Sequence, residues 1–366
     1  MIVIGSILLF VVSASILLDG TFLNKKYASV WNDRYVNQLE NDQSRMIAFG
    51  IRSASSHNSQ PWLIKTIDQD TIQLYADMRK SLPVVDGDNK QLLMSQGTFI
   101  EGYLAGANHY GYDVEISYAE LDFNDETPLI ATITVHKKEQ ALTGVDVATG
   151  STYDALTLEK DTDLVKTLDQ VVSKYPGFSY SIIETQLDLE KLEVVLLKGT
   201  TIESEDEAAT KELLNVFRFT EWQKNRFRYG LSLNTLPVTL KPFIQPIMNF
   251  SSSDWKSFGV SSIKQFNERL ALQDKYILIR YTAPSNKEFV LSGQIYQELI
   301  FKVGAYTLRP SMQVLENFSA MESLNREFQK EYGSSGEVLM VIGLQTKSNS
   351  TVMSNPRHLV EDILIK

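Results

Sequence analysis

Ser55-Ser56-His57-Asn58-Ser59-Gln60-Pro61-Trp62 is the stretch on which the reading of this chain turns. Polar side chains run unbroken to a Pro-Trp step, directly after the amphipathic segment Met46-Ile47-Ala48-Phe49-Gly50-Ile51. Downstream, Leu63-Ile64-Lys65-Thr66-Ile67 has the composition of a strand. A helix that gives way to hydroxyls and carboxamides and then to a strand puts many donors and acceptors on one short loop. Such a set suits a planar heterocycle with a polar edge, because Asn58 and Gln60 each offer both a donor and an acceptor. Ser55 and Ser56 suit a polyol chain or a phosphate. The same residues also serve as ordinary turn punctuation, with Ser56 as a helix cap.

Working outward, the string resembles the Pro-Ser-Ser-x-Asn-x-Gln-Pro-Trp motif of the nitroreductase-like FMN-binding superfamily, with Ala54 in place of the proline. His57 inside it is similar to the tandem-domain branch. Arg79-Lys80-Ser81-Leu82-Pro83-Val84-Val85-Asp86 looks like the stretch after the first hairpin in that branch. Arg309-Pro310-Ser311-Met312-Gln313 resembles its loop past the flavin ring, and Pro356-Arg357-His358-Leu359 resembles its tail. The resemblance implies an α+β, nitroreductase-like fold built from two degenerate tandem halves, an intramolecular pseudo-dimer. It implies FMN held by Ser55, Ser56, His57, Asn58 and Gln60, with Met312 and Gln313 at the ring edge. The family's Arg-x-Ser/Thr-x-Arg clamp is missing, since Gly150-Ser151-Thr152-Tyr153-Asp154 has no basic residue. Arg357 is then the expected phosphate ligand, assisted by Arg52.

The 366 residues, 43% of them hydrophobic, are enough for two lobes or one large unit. A net charge of −10 argues against nucleic acid as a partner. With no Cys there is neither disulfide nor thiolate, and the four His show no metal-site spacing. Residues 2–18 are an uncharged apolar run, followed by Lys25 and Lys26. That pattern predicts a single-pass membrane anchor over residues 1–23, with the soluble part on the cytoplasmic side.

Two helical segments resemble each other, one carrying Gly97 in Met94-Ser95-Gln96-Gly97 and one carrying Gly293 in Val290-Leu291-Ser292-Gly293. A repeat at this spacing suggests duplication. The expected halves are 24–145 and 146–366, joined near 143–152, with a lid-like insertion over 217–263. Strands are expected at 62–67, 71–76, 129–136, 276–281 and 338–344, and helices at 207–226 and 312–332. The acidic run Glu203-Ser204-Glu205-Asp206-Glu207 reads as a solvated helix start. Where the second half should repeat the motif, Lys174-Tyr175-Pro176-Gly177-Phe178 lacks carboxamides, so one FMN site per monomeric chain is expected. The implied function is an oxidoreductase moving electrons from NAD(P)H through FMN to a quinone, nitroaromatic or similar small acceptor. The alternative is a non-catalytic FMN-binding or flavin-sequestering protein.

Overall fold

The structure, a computed structural model, describes residues 2–121, 123–138, 163–232, 237–244, 254–347 and 355–365. Helices α1 (Ile2–Asp19), α2 (Asp33–Asn37) and α3 (Asp42–Ile51) lead into the hairpin β1 (Trp62–Thr66) and β2 (Thr71–Ala76). Then come the long helix α4 (Lys90–His109) and strands β3 (Tyr112–Tyr118) and β4 (Leu129–Lys137). A second series starts with α5 (Leu164–Val172), β5 (Phe178–Ile183), α6 (Gln186–Glu205), α7 (Glu207–Val216), β6 (Phe217–Arg218), α8 (Glu221–Phe227), β7 (Leu231–Ser232) and α9 (Asp254–Leu270). It continues through β8 (Lys275–Tyr281), α10 (Asn286–Lys302), β9 (Tyr306–Pro310), α11 (Glu322–Tyr332) and β10 (Glu337–Thr346). Helix α12 (Val360–Ile363) and β11 (Leu364–Ile365) follow.

The fold is mixed α and β. The two larger sheets have the orders β11-β1-β2-β4-β3 and β5-β8-β10-β9, and β6 pairs parallel with β7 in a small third one. Apart from β11, each larger sheet places its strands in the order first, second, fourth, third of its series, and all of these pairs are antiparallel. In each series the long helix, α4 or α10, connects the second strand to the third. β11 pairs parallel to β1, with Ile64 opposite Leu364, so the second series returns to finish the first sheet.

The two long helices cross at their glycines. A Cβ on Gly97 would lie 1.8 Å from the Val290 carbonyl oxygen, and one on Gly293 would lie 1.9 Å from that of Met94. Each glycine thus receives the carbonyl three residues ahead of the other. This reciprocal contact is why both positions lack a side chain. The main core gathers Phe99 and Ile100 of α4, Ile295 and Leu299 of α10, and inward residues of both sheets. β8 is covered on both faces: Ile277 and Ile279 enter that core, while Tyr276 and Leu278 join a second one with Leu192, Leu196 and Phe328.

Several expectations need correction. The helix expected over 207–226 breaks into α7, β6 and α8, because Phe219 is buried and a Thr220–Gln223 capping box starts a new helix. The helix expected over 312–332 is a 3-10 turn at Gln313–Leu315, then an extended Glu316, then α11. The lid-like segment is part of a larger insertion between β5 and β8, which brings in α6 and α7 as well; the first series has only a tight hairpin turn there. The expected junction at 143–152, and with it Gly150 to Asp154, lies outside the described residues. The apolar N-terminal run is helical, but among the described residues no helix is long and apolar enough to cross a membrane. The 18 residues of α1 rise about 27 Å, short of a hydrocarbon core of about 30 Å. The spanning anchor is therefore unsupported. The end of α1 rests on α8, where Trp222 Nε1 donates to the Leu17 carbonyl at 3.3 Å.

Gly97→Ala or Gly293→Ala should destabilise the protein by about 3 kcal/mol or more, since the obstructing atoms are backbone. Gly111→Ala meets nothing within 4 Å and faces only its positive φ of 78°. It should cost about 1 kcal/mol. Urea unfolding of the three variants checks the ranking.

Candidate functional site

The loop between α3 and β1 is wound tightly. His57, Asn58 and Gln60 have φ of 48°, 54° and 50°, all left-handed. Such residues cost on the order of 1–3 kcal/mol each and persist only where the surroundings hold them. Here a buried polar network does so. Asn58 Nδ2 donates to the carbonyls of Gly230 and Pro356, both at 2.9 Å, and its Oδ1 accepts from Arg357 Nη1. The Gly230 amide returns a bond to the Asn58 carbonyl at 2.8 Å. Gln60 Nε2 reaches the Arg228 and Pro356 carbonyls at 3.1 Å, and its Oε1 accepts from the His358 amide at 2.9 Å. Arg357 also donates to the Ser53 carbonyl at 3.1 Å, and Arg52 Nε to that of Val30 at 2.7 Å. Asn58, Gln60, Arg52 and Arg357 are thus brought together, but none of them is on the wall of the neighbouring cavity.

That cavity, of about 530 Å³, does carry Ser55, Ser56, His57, Met312 and Gln313. Ser56 fixes the loop to α4: its amide donates to Ser95 Oγ at 3.0 Å and its Oγ to Gln91 Oε1 at 2.8 Å. Ser55 Oγ accepts from the Gln60 amide at 3.1 Å, which ties the wall to the buried network. Burial pushes the His57 imidazole down to about 4, so it is neutral at pH 7 and offers one donor and one acceptor. Met94, Ser95 and Thr98 of α4 and Tyr296 of α10 complete the near side. The far side belongs to the insertion, through α6, α7, β7 and α9.

The insertion supplies residues that the sequence did not mark. Glu203 was expected in a solvated helix start; it lies near the end of α6, 4% exposed, on the cavity wall. Burial raises its carboxyl to about 7, with Arg269 of α9 pulling the other way. Glu316 is raised well above the usual range by burial and by the carboxyls of Glu203, Asp86 and Glu212. Asp86 is raised by burial to about 7, although it accepts from the amides of Gln91 and Leu92 at the start of α4. Arg269 lines the cavity, its guanidinium pKa lowered by burial and by the neighbouring Arg309. The i, i+3 spacing of Thr200 and Glu203 was the available signal, hidden by the charges around it. In the second series, the connection between α5 and β5 is a short turn through Gly177, without a carboxamide or a matching loop.

The raised carboxyls set the sign of a pH effect. Glu203 holds its proton more tightly folded (about 7) than unfolded (4.5), so its contribution to stability is fully present below about pH 4.5 and falls away as pH rises to about 7. Thermal unfolding across that window should therefore show the wild type losing more stability than Glu203→Gln. Parallel curves would remove Glu203 as the source.

Comparison with known proteins adds no assignment: no protein-family model matches the chain, and no curated protein sequence matches it.

Proposed function

We propose that the cavity holds FMN and that the chain is an FMN-dependent oxidoreductase, taking electrons from NAD(P)H and delivering them to a quinone, nitroaromatic or similar small acceptor. One observation carries the reading. The Ser55–His57 wall and the Met312–Gln313 wall, two stretches that resemble the flavin loops of one superfamily, face the same cavity from opposite ends of the sequence. The shared strand order of the two sheets and the reciprocal glycine crossing support two related halves packed as an intramolecular pseudo-dimer, hence a monomer. The single intact loop supports one cofactor per chain.

The residues present fit the group. A volume of about 530 Å³ falls within the ~300–1,000 Å³ usual for small-molecule sites. Ser55, Ser56 and neutral His57 offer paired donors and acceptors to a ring edge or ribityl chain. Gln313 Oε1 is buried with no hydrogen bond among the described residues, an acceptor suited to a ring N–H. Arg269 supplies the positive charge a phosphate requires, in place of the absent clamp. FMN would contribute two-electron transfer; the protein orients the ring, excludes water and sets the polarity at its edge. Asn58, Gln60 and Arg357 act one layer back, by holding the strained loop.

A second reading has its own support. Helices α6 and α9 of the insertion meet backbone to backbone over the cavity, where a Cβ on Gly259 would lie 2.5 Å from the Ser204 carbonyl oxygen. A cover joined so closely favours flavin sequestration without turnover.

Titration of the apo-protein with FMN, followed by flavin fluorescence, should saturate near one equivalent; no binding overturns the proposal. NADPH oxidation with menadione as acceptor then separates the oxidoreductase from the sequestering protein. Arg269→Ala should weaken FMN about tenfold or more while riboflavin, without a phosphate, changes little. Arg357→Ala should instead lower thermal stability and weaken both flavins together, because its guanidinium bonds to Asn58 and to backbone carbonyls.

A further inference from the structure

One part of the cavity wall has a chemistry that flavin recognition leaves unused. Thr200 and Glu203 stand one turn apart on α6, and Glu316 follows the 3-10 turn Gln313–Leu315. Gly199 allows the two stretches to meet: a Cβ there would be only 3.2 Å from the Val314 amide nitrogen. Thr200, Glu203 and Glu316 are 4%, 4% and 3% exposed, and all three line the cavity. Thr200 Oγ1, Glu203 Oε1 and Glu316 Oε2 are buried and have no hydrogen-bond partner within the described residues. Each such atom is costly to leave unpaired. All three can accept a hydrogen bond, and once ionised the two carboxyl groups only accept, so a cluster of donors suits the three together.

Charge narrows the class. Arg269 acts on Glu203, whereas the charges acting most on Glu316 are carboxyls: Glu203, Asp86 and Glu212. A carboxylate placed against Glu316, whose charged neighbours are acids rather than Arg269, meets like charge in a low-dielectric wall. A positively charged ligand removes the mutual repulsion of the acids. An ammonium group has three N–H donors on one centre, and Leu213, Phe217, Phe266 and Met340 give the cavity apolar surface beside the acids.

We propose that Thr200, Glu203 and Glu316 form a subsite for the ammonium group of an amine with an apolar body. This names the substrate class of the same cavity and rests on the proposed function only in placing the amine beside the flavin. On binding, the ammonium donates to the two carboxyl groups and to the Thr200 hydroxyl, and the carboxyl pair releases the proton it holds. Glu203 and Glu316 are thereby specificity residues rather than surface charges.

Calorimetric titration of the full chain with benzylamine, benzyl alcohol and benzoate, which share a ring and differ in charge, tests this directly. Benzylamine should bind about tenfold or more tighter than benzoate, with benzyl alcohol between them. Repeating the benzylamine titration in buffers of different ionisation enthalpy should show proton release. Glu316→Gln and Glu203→Gln should each reduce the preference for the amine, and the double variant should abolish it. Benzoate binding as tightly as benzylamine, a preference that survives in the double variant, or no binding of any of the three overturns the subsite. The FMN titration is read separately: a chain that selects benzylamine without binding FMN keeps the subsite and loses the oxidoreductase, and the converse loses only the subsite.

Discussion

The approach of α4 and α10 through Gly97 and Gly293 is the constraint on which the rest of the structure depends. Two helices packed through ordinary side chains sit about 8–10 Å apart; here each backbone carries the other's carbonyl against a bare Cα. The sheets lie beyond these helices, so their separation follows from the crossing. The cavity follows from it too. Met94, whose carbonyl faces Gly293, also lines the cavity, as do Ser95 and Thr98 on either side of Gly97 and Tyr296 one turn past Gly293.

A division of labour runs through the loop at residues 55–60. Ser55, Ser56 and His57 face the cavity; Asn58 and Gln60 face a network behind it, joined to the wall through Ser55. The Pro356 carbonyl accepts from both carboxamides, and Arg357 beside it donates to Asn58, so two adjacent residues hold two of the three left-handed ones directly. Polar residues in a binding motif need not touch the ligand. Some are spent on making an unfavourable backbone shape the only one available.

Much of the architecture was legible because it rests on local pattern. Alternation at 129–136 marked β4, and the Gly97 and Gly293 segments marked the helices that cross. The loop was legible as a loop from its own residues, but Met312 and Gln313 as its neighbours only through family resemblance, since nothing in composition brings together residues so far apart. Residues 207–226 and 312–332 were misread because helical periodicity does not reveal a buried Phe219 or an extended Glu316. Glu203 was misread for a deeper reason. Charge in a sequence signals exposure by default, and what overrides the default is an insertion whose packing depends on Gly199 and Gly259 meeting backbones far away in the chain. Arg52 and Arg357 were singled out as anion ligands, and the structure gives both guanidinium groups to main-chain carbonyls.

The return of residues 355–365 to the first sheet bears on how the protein is made. The carbonyl that holds Asn58 comes from a residue 298 positions later. At roughly 5–20 residues per second on the ribosome, that interval lasts on the order of 15–60 s. Throughout it α3, β1 and β2 are already available while the left-handed turn between them has no support, and β1 has an open edge where β11 will pair. The nascent chain therefore holds a recognisable half without a formed pocket, exposing a strand edge of the kind that chaperones guard. Support for the turn then reports synthesis through residue 365, so that a product stalled or clipped before that point carries the motif but not the shape.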